Sequence, residues 1–168
     1  MNTPDTLNPG KILVAFYSRT GNTREMARQI QTATGADLFE IIPAKLYPEA
    51  YQDVVDQAKE EINAGFHPEL KTNIASVADY DVIFIGSPIW WGTIAPPVAA
   101  FLSSHDLTGK TVIPFMTHEG SRRGHSVSDI KKLCPNSTVL DGLPIRGHSV
   151  RNSQKEVTQW INKIQAVK

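Results

Sequence analysis

Short apolar runs alternate with amphipathic helical stretches along this chain, and that alternation limits its fold more than any other feature. Within Lys11-Ile-Leu-Val-Ala-Phe16 the apolar residues are consecutive, the mark of a strand covered on both faces. A polar stretch follows, then Met26, Ala27, Ile30 and Ala33 at helical spacing, with Gly35 as a stop signal. Residues 37–42 read as a second strand, and residues from about 49 to 64 as a helix carrying Val54, Val55, Ala58 and Ile62 on one stripe. Residues 82–85 and 111–116 are the third and fourth strands. Helices near residues 97–102 and around Val127, Ile130 and Leu133 follow them. The last unit is a strand at residues 138–140, extended to Ile145, and a helix whose Val157, Trp160, Ile161 and Ile164 share a face. Five strands alternating with five helices predict an α/β fold: a three-layer sandwich in which a five-stranded parallel sheet carries helices on both faces. Residues 11–168 read as one domain behind a flexible N-terminal segment, 1–10.

Charge narrows the range of partners. The 168 residues contain 17 Lys and Arg against 17 Asp and Glu, so no basic excess is present to neutralise nucleic acid or an anionic membrane. The only cysteine, Cys134, has no disulfide partner, and residues 1–10 carry neither basic nor apolar runs, so the chain reads as cytoplasmic. Residues 82–104 lack charged side chains and are long enough to span a bilayer, but Pro88, Pro96, Pro97, Gly86 and Gly92 would break a lipid-exposed helix. That stretch reads instead as strand, loop and helix.

In open α/β sheets ligands bind beyond the carboxyl ends of the strands, which directs attention to the loops after strands one, three and four. The first loop holds Ser18, Arg19, Thr20, Gly21, Asn22 and Thr23, dense in hydroxyls and opening into a helix whose free N–H groups attract an anion. No GxGxxG is present, and Gly109-Lys110-Thr111 leads into a strand, so dinucleotide and nucleoside triphosphate binding in those modes are not supported. A monophosphate end group remains. The third loop, with Pro88, Ile89, Trp90, Trp91 and Gly92, offers an aromatic face for a flat ring. The fourth, with Thr117, His118, Glu119, Gly120 and Ser121, offers donors and acceptors for the edge of a planar heterocycle. His118 and His125 are seven apart with no carboxylate at metal spacing, and no metal site is expected.

Phe16-Tyr-Ser-Arg-Thr-Gly-Asn-Thr23 and Gly86-Ser-Pro-Ile-Trp-Trp-Gly92 together resemble the flavodoxin family over about residues 11–164. The resemblance implies strand order 2-1-3-4-5 and a non-covalently held FMN. Its phosphate would lie on residues 18–23 and its isoalloxazine beside residues 88–92, with the pyrimidine edge on residues 117–121. Which tryptophan stacks on the ring stays open. Ala15 stands where the family prefers a larger residue, Arg19 is a cation beside the phosphate loop, and the net charge is zero where electron-carrying flavodoxins are acidic.

The resemblance thus implies an FMN-binding redox protein in which the flavin performs the chemistry and no residue acts as a catalytic acid or base. Two readings stand: an electron carrier serving a redox partner protein, or an NAD(P)H-dependent FMN oxidoreductase of quinone-like acceptors. The second predicts steady turnover and an oligomer that completes the substrate pocket. Glu119, if it faces the ring, disfavours the reduced anion by repulsion. The alternative is an FMN-free phosphate-recognising or regulatory module on the same fold. A receiver domain is not supported, because the third strand ends in Gly86-Ser87-Pro88 without an Asp, nor is a low-molecular-weight phosphatase, because Leu140 stands where Cys134 would need an Arg.

Overall fold

Successive residues of a strand point to opposite faces, so an uninterrupted apolar run is stable only where helices cover both sides. The computed structural model describes residues 12–164, and the segment expected to be flexible, 1–10, lies outside them. In β1 (Ile12–Phe16) no side chain is more than 3% exposed. Ile12, Val14 and Phe16 face α1 (Asn22–Thr34) and α5 (Gln154–Lys163), meeting Met26, Ile30, Val157 and Ile161. Leu13 and Ala15 join the opposite core with Val98 and Phe101 of α3 (Pro96–Ser103) and Ile130 of α4 (Ser126–Leu133). Ala15 is fully buried there.

The strand order is β2-β1-β3-β5-β6, with β2 (Asp37–Glu40), β3 (Val82–Trp90), β5 (Thr111–His118) and β6 (Thr138–Val139) all parallel to their neighbours. This is the expected 2-1-3-4-5 arrangement. The expected count of five strands is corrected to seven by two short additions, β4 (Thr93–Ile94) and β7 (Leu143–Arg146). Residues 138–145 do not run as one strand, and Pro114 explains the break. Val112 accepts from the Leu140 N–H at 3.0 Å, so Pro114, two residues on, turns the same edge to the last strand but has no N–H to give. The chain bulges inward at Gly142, whose φ is +78° and whose Cβ, if present, would lie 2.4 Å from the Pro114 carbonyl oxygen. Pairing with β5 then resumes as β7 from Phe115↔Leu143.

The third strand also runs further than its apolar core suggests. Beyond Ile85 it stays paired to β5 through Ser87↔Met116 and Pro88↔Thr117. Gly86 accepts the Tyr17 N–H, and Pro88, on the same edge, lies past the end of β1 where no donor is required. The chain then reverses through a two-residue turn, Trp91 at φ 53° and Gly92 at φ 80°, and pairs back as β4 with Trp90↔Thr93. Residues 82–104 are therefore strand, hairpin and helix, and among the described residues no helix is long and apolar enough to cross a membrane. The second crossover helix, α2, spans Tyr51–Ala64. Cys134, at the end of α4, is buried, and burial pushes its thiol up to about 11.

Gly86 carries the tightest contact between the central strands. A Cβ there would lie 2.2 Å from Phe115 Cζ, and that ring is wholly buried. Gly86→Ala is expected to destabilise the protein by about 3 kcal/mol. The urea midpoint should fall at constant m-value, and an unchanged midpoint would disprove the contact.

Candidate functional site

The carboxyl ends of β1, β3, β5 and β7 open onto one edge, and four loops meet there. The first leaves β1 at Tyr17 and turns at Ser18, whose Oγ accepts the Gly21 N–H at 3.1 Å. Gly21 is the N-cap of α1 with φ 102° and supplies no side-chain cap. The first N–H groups of α1 have no intrahelical acceptor, and the positive end of the helix dipole adds to their pull on an anion. Thr20 is exposed, whereas Thr23 is buried and its Oγ1 lies 2.8 Å from Thr117 Oγ1 of β5, at 2% and 4% exposure respectively. This hydroxyl pair ties the first turn of α1 to β5. Arg19 turns away from α1: its Nη2 donates to the Glu49 carbonyl at 2.8 Å, ahead of α2. Arg24 forms an ion pair with Glu40.

The wall opposite the first loop comes from the segment after β7, a 3-10 stretch over Gly147–Asn152. Arg151 Nη1 donates to Asn22 Oδ1 at 3.1 Å. Gly147 is pressed between two side chains, since a Cβ there would lie 2.6 Å from both Asn22 Nδ2 and Glu119 Oε2. The Glu119 carboxylate thus reaches toward the first turn of α1. The wall is anchored from below by Gln29, buried in α1, whose Nε2 donates to the Val150 carbonyl at 2.7 Å while its Oε1 accepts from Ser153 Oγ at 2.8 Å.

On the β5 side, Gly120 N–H donates to His118 Nδ1 at 2.9 Å, which fixes the turn of that loop. Burial first, then the charges of Arg146 and Arg122, hold His118 below the usual imidazole range. Ser121 and Gly120 are exposed. The β5 loop and the β3–β4 turn touch at their far ends: His125 N–H donates to the Gly92 carbonyl at 2.7 Å, and a Cβ on Gly124 would collide with that same oxygen.

The two tryptophans part company. Trp90 is half-buried, and Tyr17 and Tyr47 meet it edge to face at centroid distances of 5.6 and 5.1 Å. Burial pushes the Tyr17 hydroxyl up to about 12 against the opposing pull of Arg19. Burial, and then its hydrogen bond to Glu61, also raise Tyr47. Trp91 is 50% exposed and faces α2, donating from Nε1 to the Val55 carbonyl at 2.9 Å, with Lys59 Nζ 5.2 Å from its ring centre. These contacts hold a non-glycine residue in the left-handed region. A cavity of about 290 Å³ lies behind the turn, bounded by Arg19, Tyr51, Val54, Ala58, Trp90 and Trp91.

The residues expected from the sequence thus fall into two groups. Ser18, Gly21, Asn22, Thr23, Thr117 and Glu119 converge around the first turn of α1, joined by Gly147 and Arg151. Pro88, Ile89, Trp90 and Trp91 form the hairpin arm that Gly92 joins to the β5 loop. Arg19 belongs to neither group through its hydrogen bond. Gly147 and Arg151 do not stand out in the sequence, because the loop after the last strand carries no aromatic pair or crowded hydroxyls before a long helix; its place at the same sheet edge is the one signal it gives.

A flavodoxin family model matches residues 11–164. A curated NAD(P)H dehydrogenase (quinone) from Azorhizobium caulinodans is 31% identical over 163 residues, covering 88% of this chain and 77% of that protein. A flavoprotein structure from Bacteroides uniformis superposes with a TM-score of 0.82 at 34% identity, over 93% of this chain and all of that one. A Lactobacillus acidophilus flavoprotein solved in complex with FMN gives 0.71 at 25% identity, over 87% of this chain and 99% of that one. The family model spans the whole described fold, and the chain belongs to the flavodoxin family.

Proposed function

We propose that the protein binds FMN and uses NAD(P)H to reduce a small quinone-like acceptor. The observation that carries this reading is the meeting of an uncapped helix N-terminus with the buried Thr23–Thr117 pair at the carboxyl edge of the sheet. The donor set fits a phosphate monoester. The first N–H groups of α1 and the Asn22 amide donate, Ser18 keeps a hydroxyl hydrogen to give, and Arg151 adds a positive charge. Bound FMN supplies the electron-transfer chemistry of the protein. Residues 18 and 20–23 hold the phosphate, while Pro88–Gly92 and Thr117–Ser121 border the ring and exclude water from it. Arg19, committed to Glu49, shapes the loop rather than binding the phosphate.

Reduction of a small molecule is favoured over electron carriage between proteins for two reasons. Zero net charge provides little field to steer a charged redox partner. The curated relatives from Azorhizobium caulinodans and Cupriavidus metallidurans are both named NAD(P)H dehydrogenase (quinone).

Titration of the purified protein with FMN should quench the flavin fluorescence to a sharp one-to-one endpoint, and NADH or NADPH should then be oxidised steadily when a quinone is added. Protein that leaves FMN free in solution overturns the reading, and bound FMN without nucleotide oxidation returns it to an electron carrier.

Glu119 places negative charge beside the site of a dianion, so Glu119→Gln should tighten FMN binding roughly fivefold at low salt, with the gain shrinking as salt is raised. Weaker binding in isothermal titration would contradict that placement of the carboxylate. Thr23→Val leaves the Thr117 hydroxyl buried without its partner and should cost about 1–3 kcal/mol of stability. Thr23→Val combined with Thr117→Val should recover part of that loss in urea melts, yet bind FMN more weakly than wild type.

A further inference from the structure

His125 lies outside the residues assigned above, at the N-cap of α4, in surroundings suited to a proton donor. Its Nδ1 is 2.8 Å from Asp129 Oδ2, one helical turn along. The same oxygen accepts the hydroxyl hydrogen of buried Thr93, and Lys132 Nζ lies 3.9 Å from the other, Oδ1. A carboxylate only accepts, so Nδ1 carries hydrogen and Nε2 is the nitrogen left to exchange a proton. That nitrogen lies against the hairpin turn, because a Cβ on Gly92 would come within 3.3 Å of it. The imidazole therefore sits on the seam where the two ring-bordering segments touch, and its side chain is 61% exposed, open to reprotonation by water.

Among the other charged groups, Glu61 of α2 accepts from Tyr47 and Gln57, and with His67 it lines the cavity that Asp129 and Lys132 also line. Arg123 is bonded to the Asp141 and Gly142 carbonyls. His118, in the same loop, uses Nδ1 as the acceptor of the Gly120 N–H, and burial and the nearby arginines disfavour its charged form.

We infer that His125, oriented by Asp129, delivers from Nε2 the proton taken up by a quinone-like acceptor reduced at the Gly92–Gly124 seam. The inference rests on the reductase reading above. NAD(P)H supplies two electrons and one proton and becomes NAD(P)⁺. The second proton passes from the imidazolium form of His125: its Nε2–H bond breaks as an acceptor O–H bond forms, leaving the neutral ring with its Nδ1–H on Asp129. The acceptor leaves as its hydroquinone, and His125 regains a proton from water.

The test compares two acceptors on the FMN-loaded protein: menadione, which takes up protons on reduction, and ferricyanide, which takes up only an electron. His125→Asn keeps a side-chain donor for Asp129 but has no proton to transfer. Its kcat with menadione should fall roughly 100-fold, and with ferricyanide less than about twofold, at unchanged FMN affinity. Added imidazole should restore part of the menadione rate to His125→Ala. An equal fall with both acceptors would make His125 a clasp for the hairpin and overturn the inference, as would no fall with either. Wild-type protein that binds FMN but reduces neither acceptor brings down the reductase reading and this inference together.

Discussion

A parallel sheet buried on both faces leaves the polypeptide only its two ends at which to expose polar chemistry, and in this protein everything of functional interest is placed by that constraint. The side chains of β1 and the adjoining part of β3 are spent on two apolar cores, one under α1 and α5, the other under α3 and α4. Neither face can also carry a ligand. The central pair β3–β5 runs past the end of β1, so Ser87 to Pro88 and Met116 to Thr117 project as a paired ledge beyond that strand. The first loop, the aromatic hairpin and the β5 loop are arranged around that ledge. A loop fixed to such a scaffold loses little freedom when a ligand arrives, which is the physical value of placing a binding site there.

The core could be read from the sequence because burial on two faces leaves a one-dimensional trace, the unbroken run of Ile12–Phe16, and because amphipathic periodicity marks the helices. The departures are cases where one residue changes a ladder by what it lacks. Pro114 withholds an N–H from the last strand, and the consequence appears some thirty residues away as a bulge at Gly142, beyond the reach of any local pattern. The Trp91–Gly92 turn was hidden for another reason. Such turns usually carry Asn-Gly or Asp-Gly, and a tryptophan holds the left-handed position here only because α2 offers Val55 and Lys59 to its ring.

The candidate site was legible where chemistry is carried by residue type and opaque where it is carried by approach. Hydroxyls crowded before a helix and two adjacent tryptophans stand out in the chain. The Thr23–Thr117 pair and the contact of Gly147 with Asn22 and Glu119 do not, because their members are distant in sequence and ordinary in kind. The Asp129–His125 pair lay between these cases. Its spacing of four residues on a helix was visible, but the contact with Gly92 that gives it meaning was not.

The link between Arg151 and Asn22 joins residues 129 positions apart. Together with the Gln29 bonds to Val150 and Ser153, it makes the beginning and the latter part of the chain into one structural element. On a ribosome that adds about 5–20 residues per second, the first loop would wait roughly 6–26 s for its wall to be synthesised. A nascent chain therefore has the hydroxyls of the loop long before it has the wall that faces them, and β1 and α1 can fold before that side of the edge is closed.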